Sequence, residues 1–128
     1  MTKVKQLIDS ALAARNMAYA PYSNFKVGAA VLLENGEIYS GCNVENASYG
    51  LSICAERSAI CRAIAAAGNR SIVTMVVAAH PLATPCGACR QFAVEFGTGI
   101  QIISVDAIDT SIQKTWTSGD LLPESFSL

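Results

Sequence analysis

Two short stretches, Cys54-Ala55-Glu56-Arg57 and Pro85-Cys86-Gly87-Ala88-Cys89-Arg90, bring three thiols and a carboxyl group to spacings that ordinary packing does not require. Thiolates are soft ligands suited to zinc, and a Cys-x-x-Cys pair with a third cysteine upstream can supply three of them. A structural zinc normally closes its shell with four protein ligands, whereas a catalytic one keeps a position for water, which then supplies hydroxide near neutral pH. The number of ligands therefore decides the chemistry. Glu56 lies beside a ligand cysteine and is suited to carry protons as a general acid/base. Its plain alternative is an acidic residue favoured by a helix N-terminus.

Three other residues could complete the shell: Cys42, Cys61 and His80, the single histidine. Cys61 stands two helical turns beyond Cys54, about 10 Å along the axis, so the two cannot hold one ion. Cys61 and Cys42 are expected to be small buried hydrophobes. His80 precedes Pro81 and is expected to be a loop residue at the end of a strand. The expected ligands are Cys54, Cys86 and Cys89. Three thiolates on one Zn²⁺ leave a formal charge of −1, which opposes acidification of a bound water. Arg57, three residues after Cys54 on the same helical face, is placed to donate to ligand sulfur and offset that charge.

The surrounding chain has to bring these residues together. Val4, Leu7, Ile8, Ala11 and Leu12 recur at helical spacing, with Thr2 as an expected N-cap and an end near Asn16. Ala20-Pro21-Tyr22-Ser23-Asn24 reads as a turn. Residues 25–33 and 37–44 form two β-rich runs joined at Asn35-Gly36, a hairpin signal that makes them antiparallel. Ile53 to about Ala67 is a second helix, with Ser52 as N-cap and Gly68 as its stop, so Cys54, Glu56 and Arg57 fall in its first turn. Residues 72–79 are a continuous apolar run fit for the middle of a sheet. A Pro- and Thr-rich turn then delivers Cys86 to a helix reaching Phe96 and stopping at Gly97. Residues 101–105 and 112–116 are short strands paired antiparallel, because their connection is too short for a helical crossover. Leu121-Leu122-Pro123 is a short turn or helical piece. Each half of the metal motif opens a helix, so free N–H groups and helix dipoles lower the thiol pKa values.

Composition narrows the class of partner. At 128 residues the chain is expected to be one domain, 1–128, with a real core. More than half of its residues are hydrophobic and only 15% are charged, which points to subunit interfaces. A net charge of −1, without a run of Lys or Arg, excludes an electrostatic footprint for nucleic acid or anionic membrane. A small neutral ligand fits better. No apolar run reaches the ~18 residues of a membrane span, and the first ten residues do not read as a signal peptide, so the expected location is cytoplasmic. Five cysteines, two of them in Cys-x-x-Cys, point to metal rather than disulfides in a reducing compartment.

At the two metal motifs, at residues 20–30 (APYSNFKVGAA), at Gly41-Cys42-Asn43-Val44-Glu45-Asn46, at Arg90-Gln91 and at Leu121-Leu122-Pro123, the chain resembles the small, homotetrameric, nucleoside-specific cytidine deaminases. The cysteine motifs fit several zinc deaminases, and the Asn-Val-Glu-Asn segment singles out this branch. The resemblance implies an α/β fold: a three-layer α/β/α sandwich with a five-stranded mixed sheet. It implies hydrolytic deamination of cytidine and deoxycytidine, with one Zn²⁺ per subunit on Cys54, Cys86 and Cys89 and Glu56 as the proton shuttle. Phe25 matches the aromatic that contacts the base, Asn43 and Glu45 the residues that hold the ribose, and the Ala55 N–H a donor to the pyrimidine carbonyl. The matching arginine, Arg57, contacts ligand cysteines. The family's tetramer, in which neighbours help close each site, makes Phe126 a candidate aromatic supplied in trans, against ordinary C-terminal packing. Ile53 and Thr84 depart from the family's usual residues without touching the chemistry.

On their residue types alone, Phe25 reads as a core aromatic and Asn43 and Glu45 as a solvated turn. A carboxylate at the sugar repels phosphate, and no Gly-rich cradle or Arg cluster is available to bind one, which favours a free nucleoside over dCMP or a polynucleotide. Two further readings stay open: a related zinc aminohydrolase acting on another aminated base or nucleoside analogue, and a non-catalytic module with a structural zinc.

Overall fold

A computed structural model describes residues 2–128, except for the side chain of Thr2, where the expected N-cap therefore lies outside the described part. The order of elements is α1 (Thr2–Arg15), β1 (Val27–Leu33), β2 (Ile38–Cys42), a 3₁₀ turn (Tyr49–Leu51), α2 (Ala55–Ala67), β3 (Ile72–Ala79), α3 (Gly87–Val94), β4 (Gln101–Asp106), β5 (Gln113–Thr117) and a short α4 (Ser118–Leu121). The five strands form one sheet in the order β2-β1-β3-β4-β5. Only β3 and β4 run parallel, and the sheet is mixed as expected.

Alternation along the strands sorts side chains into two layers, because successive residues point to opposite faces. Ala29, Val31, Met75, Val77 and Ile102 pack with Ala59, Ile60 and Ala63 of α2. Ala30, Val76, Ala78, Ile103 and Val105 pack with Leu7 and Ala11 of α1. β3 lies at the centre with apolar residues on both faces, which explains its hydrophobic run, interrupted only by the buried Thr74. Two glycines set how closely the helices sit. A Cβ on Gly28 would lie 1.9 Å from the Ala11 carbonyl oxygen of α1, and one on Gly41 would lie 2.5 Å from the Ala59 nitrogen of α2.

Several boundaries differ from the expected ones. The β1–β2 hairpin turns through Glu34, Asn35 and Gly36, with the Gly36 N–H donating to Leu33 (3.0 Å) and Gly36 at φ 88°. The expected Asn-Gly turn is present, with Gly36 as its left-handed residue. Ser52 is not the N-cap of α2; Cys54 takes that position with extended dihedrals and no capping bond from its sulfur. Ser52 instead accepts the Asn46 N–H (3.1 Å). α3 gives up its regular helix at Val94, short of Phe96, and Gly97 adopts φ 141°.

Candidate active site

Cys54 and Cys86 occupy equivalent places, each as the N-cap of a helix, and Cys89 stands in the first turn of α3. The sulfurs of Cys54, Cys86 and Cys89 all lie within 4.8 Å of one another, and the Cys54–Cys86 separation is 3.8 Å. A tetrahedral zinc with bonds of about 2.3 Å requires sulfurs about 3.8 Å apart, so these thiols fit that ion. Among the described residues this is the one group of three potential ligands. His80 is engaged elsewhere, with Nδ1 3.1 Å from Asp106. The expected burial of the other cysteines does not hold: Cys61 is exposed and Cys42 only half-buried. Position 61 falls on the outer face of α2, whose inner face is filled by alanines and Ile60.

The electrostatics of the thiols favour a cation. Hydrogen bonding from Cys89, aided by the Arg57 guanidinium, lowers the Cys54 thiol to about 5. The same contact with Cys54, together with burial, pushes Cys89 upward. One proton is thus shed easily while further ionisation is opposed by like charge, a conflict that a bound divalent ion resolves. Arg57 Nη2 donates to Cys54 Sγ at 3.4 Å, the contact expected from their spacing. Its Nε is buried without a hydrogen-bond partner among the described residues.

Glu56 follows on α2 and is only 5% exposed. Burial raises its carboxyl above the ordinary range, and the neighbouring Cys54 charge acts in the same direction. A carboxyl tuned upward can both take and give a proton near neutral pH. Ala55, fully buried, is the first residue of α2, where backbone N–H groups lack helical acceptors.

Glu56, Cys54, Cys86, Phe25, Asn43 and Glu45 share one cavity of about 260 Å³. How the chain brings the last three to the cysteines is visible in the backbone. Val44 pairs with both Tyr19 and Ile53, so the Asn43–Glu45 segment is hydrogen-bonded to the residue just before Cys54. Asn43 Oδ1 accepts the Val27 N–H (2.9 Å) and its Nδ2 donates to the Phe25 carbonyl (2.8 Å), leaving one amide hydrogen for another acceptor. Glu45 accepts the N–H groups of Tyr22 (2.9 Å) and Ser23 (3.1 Å) and the Ser23 hydroxyl, and the last of these does most to hold its carboxyl below the usual range. A second cavity of about 350 Å³, lined by Tyr22, Ser23, Glu45, Tyr49 and Ser52, adjoins the first at Ser23 and Glu45 but does not reach Glu56.

Phe126 is not part of this cavity. The residue is 71% exposed, and its carbonyl accepts from Gln91 Nε2 (3.1 Å). The sequence places Ser23 in a turn without showing its grip on Glu45, and it gives no role to Ala83 or to Thr84, which there is only a departure from the family's usual residue but here lines the cavity with Ala83. The Pro-Tyr-Ser-Asn turn was the available signal for Ser23, since Ser hydroxyls accept and donate locally at turns.

The comparisons with known proteins agree with this geometry. Residues 1–105 match the family model for the cytidine and deoxycytidylate deaminase zinc-binding region. The chain is 44% identical to the cytidine deaminase of Sporosarcina psychrophila over 97% of its own length and 91% of that protein. It is 45% identical to a probable cytidine deaminase of Dictyostelium discoideum, over 98% and 84% of the two chains. The crystal structure of cytidine deaminase from Burkholderia pseudomallei superimposes with a TM-score of 0.88 at 46% identity, covering 95% of this chain and 98% of that one.

Proposed function

Because this chain belongs to the cytidine deaminase family, we propose that it hydrolyses cytidine and deoxycytidine to uridine and deoxyuridine, releasing ammonia. The observation that carries this reading is the buried Glu56 carboxyl beside three clustered thiols, in a cavity whose wall also carries Asn43 and Glu45. Residues 1–128 act as one catalytic domain in this reading.

Cys54, Cys86 and Cys89 would hold the zinc ion, which when bound supplies the Lewis acidity that makes water a nucleophile near neutral pH. Glu56 accepts the proton of the attacking water, delivers it to the ring nitrogen and then assists departure of the amine, and its raised pKa suits both directions of transfer. Phe25 packs against the base, and the Ala55 N–H donates to the pyrimidine carbonyl. The free Asn43 amide hydrogen and the Glu45 carboxylate bind the sugar hydroxyls. Glu45, kept ionised by its Ser23 and Tyr22 donors, repels a 5′-phosphate, which favours the free nucleoside.

A homotetramer with shared active sites is the assembly we favour. Tyr22, Tyr49, Leu51 and Ile53 are exposed beside the Glu45 cavities, and Phe126 is exposed away from its own chain's cavity, as an aromatic lent to a neighbour would be. Among the described residues no helix is long and apolar enough to cross a membrane, and all five cysteines are free thiols, in keeping with a cytoplasmic enzyme. An ultraviolet assay with cytidine, deoxycytidine, dCMP, adenosine and guanine tests the assignment. Turnover of the two nucleosides alone is expected; turnover of adenosine or guanine in their place would overturn it.

A further inference from the structure

Between the end of β3 and the N-cap of α3 runs the segment from His80 to Pro85. It lines the substrate cavity with Ala83 and Thr84 and ends at Cys86. From Pro81 to Thr84 the chain makes no hydrogen bond among the described residues, and Ala83 alone packs against the core. The segment is instead tied at its two ends. Arg90 Nε donates to the Pro85 carbonyl at 2.8 Å, and His80 Nδ1 lies 3.2 and 3.1 Å from the two carboxylate oxygens of Asp106.

Asp106 is a fixed post. It ends β4 directly beside Ala79, its N–H donates to Ile112 (3.0 Å), and its carboxylate accepts the N–H groups of Ile108 (2.8 Å) and Asp109 (3.0 Å). The side chain of Asp106 is 9% exposed while that of His80 is 48% exposed. Packing therefore holds the aspartate, and the carboxylate holds the histidine. A hydrogen bond to an ionised acceptor is stronger than a neutral one, so the contact can restrain a segment that has few other restraints.

We propose that His80 is a positioning residue for the deamination: its ring, by donating to Asp106, fixes the start of the loop that walls the substrate cavity and delivers Cys86 to the metal cluster. The two ends of this loop differ in kind. Arg90 sits on α3 and its Nη1 also donates to the Leu121 carbonyl (2.9 Å), tying the end of the loop to α3 and α4, whereas His80 refers its start to the sheet. Without it, only the packing of Ala83 restrains the stretch from Pro81 to Thr84 against β3 and Val77, which also lines the cavity. Displacements of about 1 Å in a positioning wall are enough to cost up to about 10²-fold in rate.

The kinetic part of this inference rests on the nucleoside deaminase reading, and the metal-retention part does not. The test compares wild-type holoenzyme with His80→Ala and His80→Asn, measuring kcat and KM for cytidine and the rate of zinc transfer to a chromogenic chelator. His80→Ala should raise KM about 3- to 10-fold with a smaller change in kcat, and should release zinc faster. His80→Asn, whose amide N–H takes the place of Nδ1–H, should return both quantities toward wild type. Unchanged KM and unchanged zinc release in His80→Ala, even with a lowered melting temperature, would reduce the contact to fold stability alone. Equal impairment in both variants would also overturn the proposal. If wild type fails to deaminate cytidine, the deaminase reading falls on its own, and zinc release still decides the role of His80.

Discussion

Val44 and Ile53 exchange both of their backbone hydrogen bonds at 2.9 Å, which ties the segment carrying Asn43 and Glu45 to the segment carrying Cys54 and Glu56. The residues proposed to hold the sugar and those of the thiol cluster are therefore not independent groups that happen to meet. Their relative position is fixed by main-chain geometry one residue away from each.

Replacing Glu56 with Gln should remove proton transfer while leaving the three thiols and the cavity shape intact. The expected loss in kcat is about 10²- to 10⁴-fold, with zinc content unchanged by metal analysis. The variant should also melt no lower than wild type. A carboxyl whose folded pKa lies above its unfolded value disfavours the fold as pH rises through that interval, and Gln removes this cost. A Glu56→Gln enzyme with near-normal turnover would remove Glu56 from the chemistry.

Arg57 offers a test of charge balance. Its guanidinium donates to Cys54 Sγ, drawing charge from a three-thiolate site. Arg57→Gln should lower kcat with zinc retained, and adding Cys54→His, which removes one negative charge, should restore part of the loss. Strictly additive losses at equal zinc occupancy would show that the arginine does not compensate for thiolate charge.

Gly28 and Gly41 predict a contrast between the two faces of the sheet. An added methyl collides with backbone in both cases, so Gly28→Ala and Gly41→Ala should each destabilise by about 1–3 kcal/mol or more in urea unfolding. Only Gly41→Ala displaces α2, which begins at Cys54 and carries Glu56 in its first turn. Its folded fraction should therefore lose kcat/KM, whereas that of Gly28→Ala should keep it.

Ser23 can be tested through Glu45. The Ser23 hydroxyl is the largest cause of the lowered Glu45 pKa, so Ser23→Ala should move the carboxyl upward, toward the ordinary value of about 4.3, in an NMR titration. The sign for stability follows: a carboxylate with a depressed folded pKa stabilises the fold fully above its unfolded pKa and loses that contribution as pH falls through the folded one. Acid unfolding of Ser23→Ala should accordingly begin at higher pH.

Local patterns were legible in the sequence where one short stretch carried the whole cause. The central strand β3 was read from its apolar run, and the reach of Arg57 to Cys54 from a three-residue helical spacing. Contacts that depend on distant residues were not legible. Nothing in the neighbourhood of His80 announces Asp106, which lies 26 positions away. Ser52 resembled an N-cap by residue type, yet the pairing of Ile53 with Val44 keeps the chain extended for two residues longer and passes the cap position to Cys54. Cys61 was misplaced because cysteine is usually buried, while here Ala59, Ile60 and Ala63 already fill the inward face of α2.

Cys54 and Cys86 lie 32 positions apart, and the stretch between them contains all of α2 and all of the central strand. An ion gripping both ends would behave as a removable cross-link. Closing a loop of that length restricts the unfolded chain by about 3–4 kcal/mol under the chain-entropy treatment used for disulfides. Metal supply would then set how long the molecule survives as well as how fast it turns over.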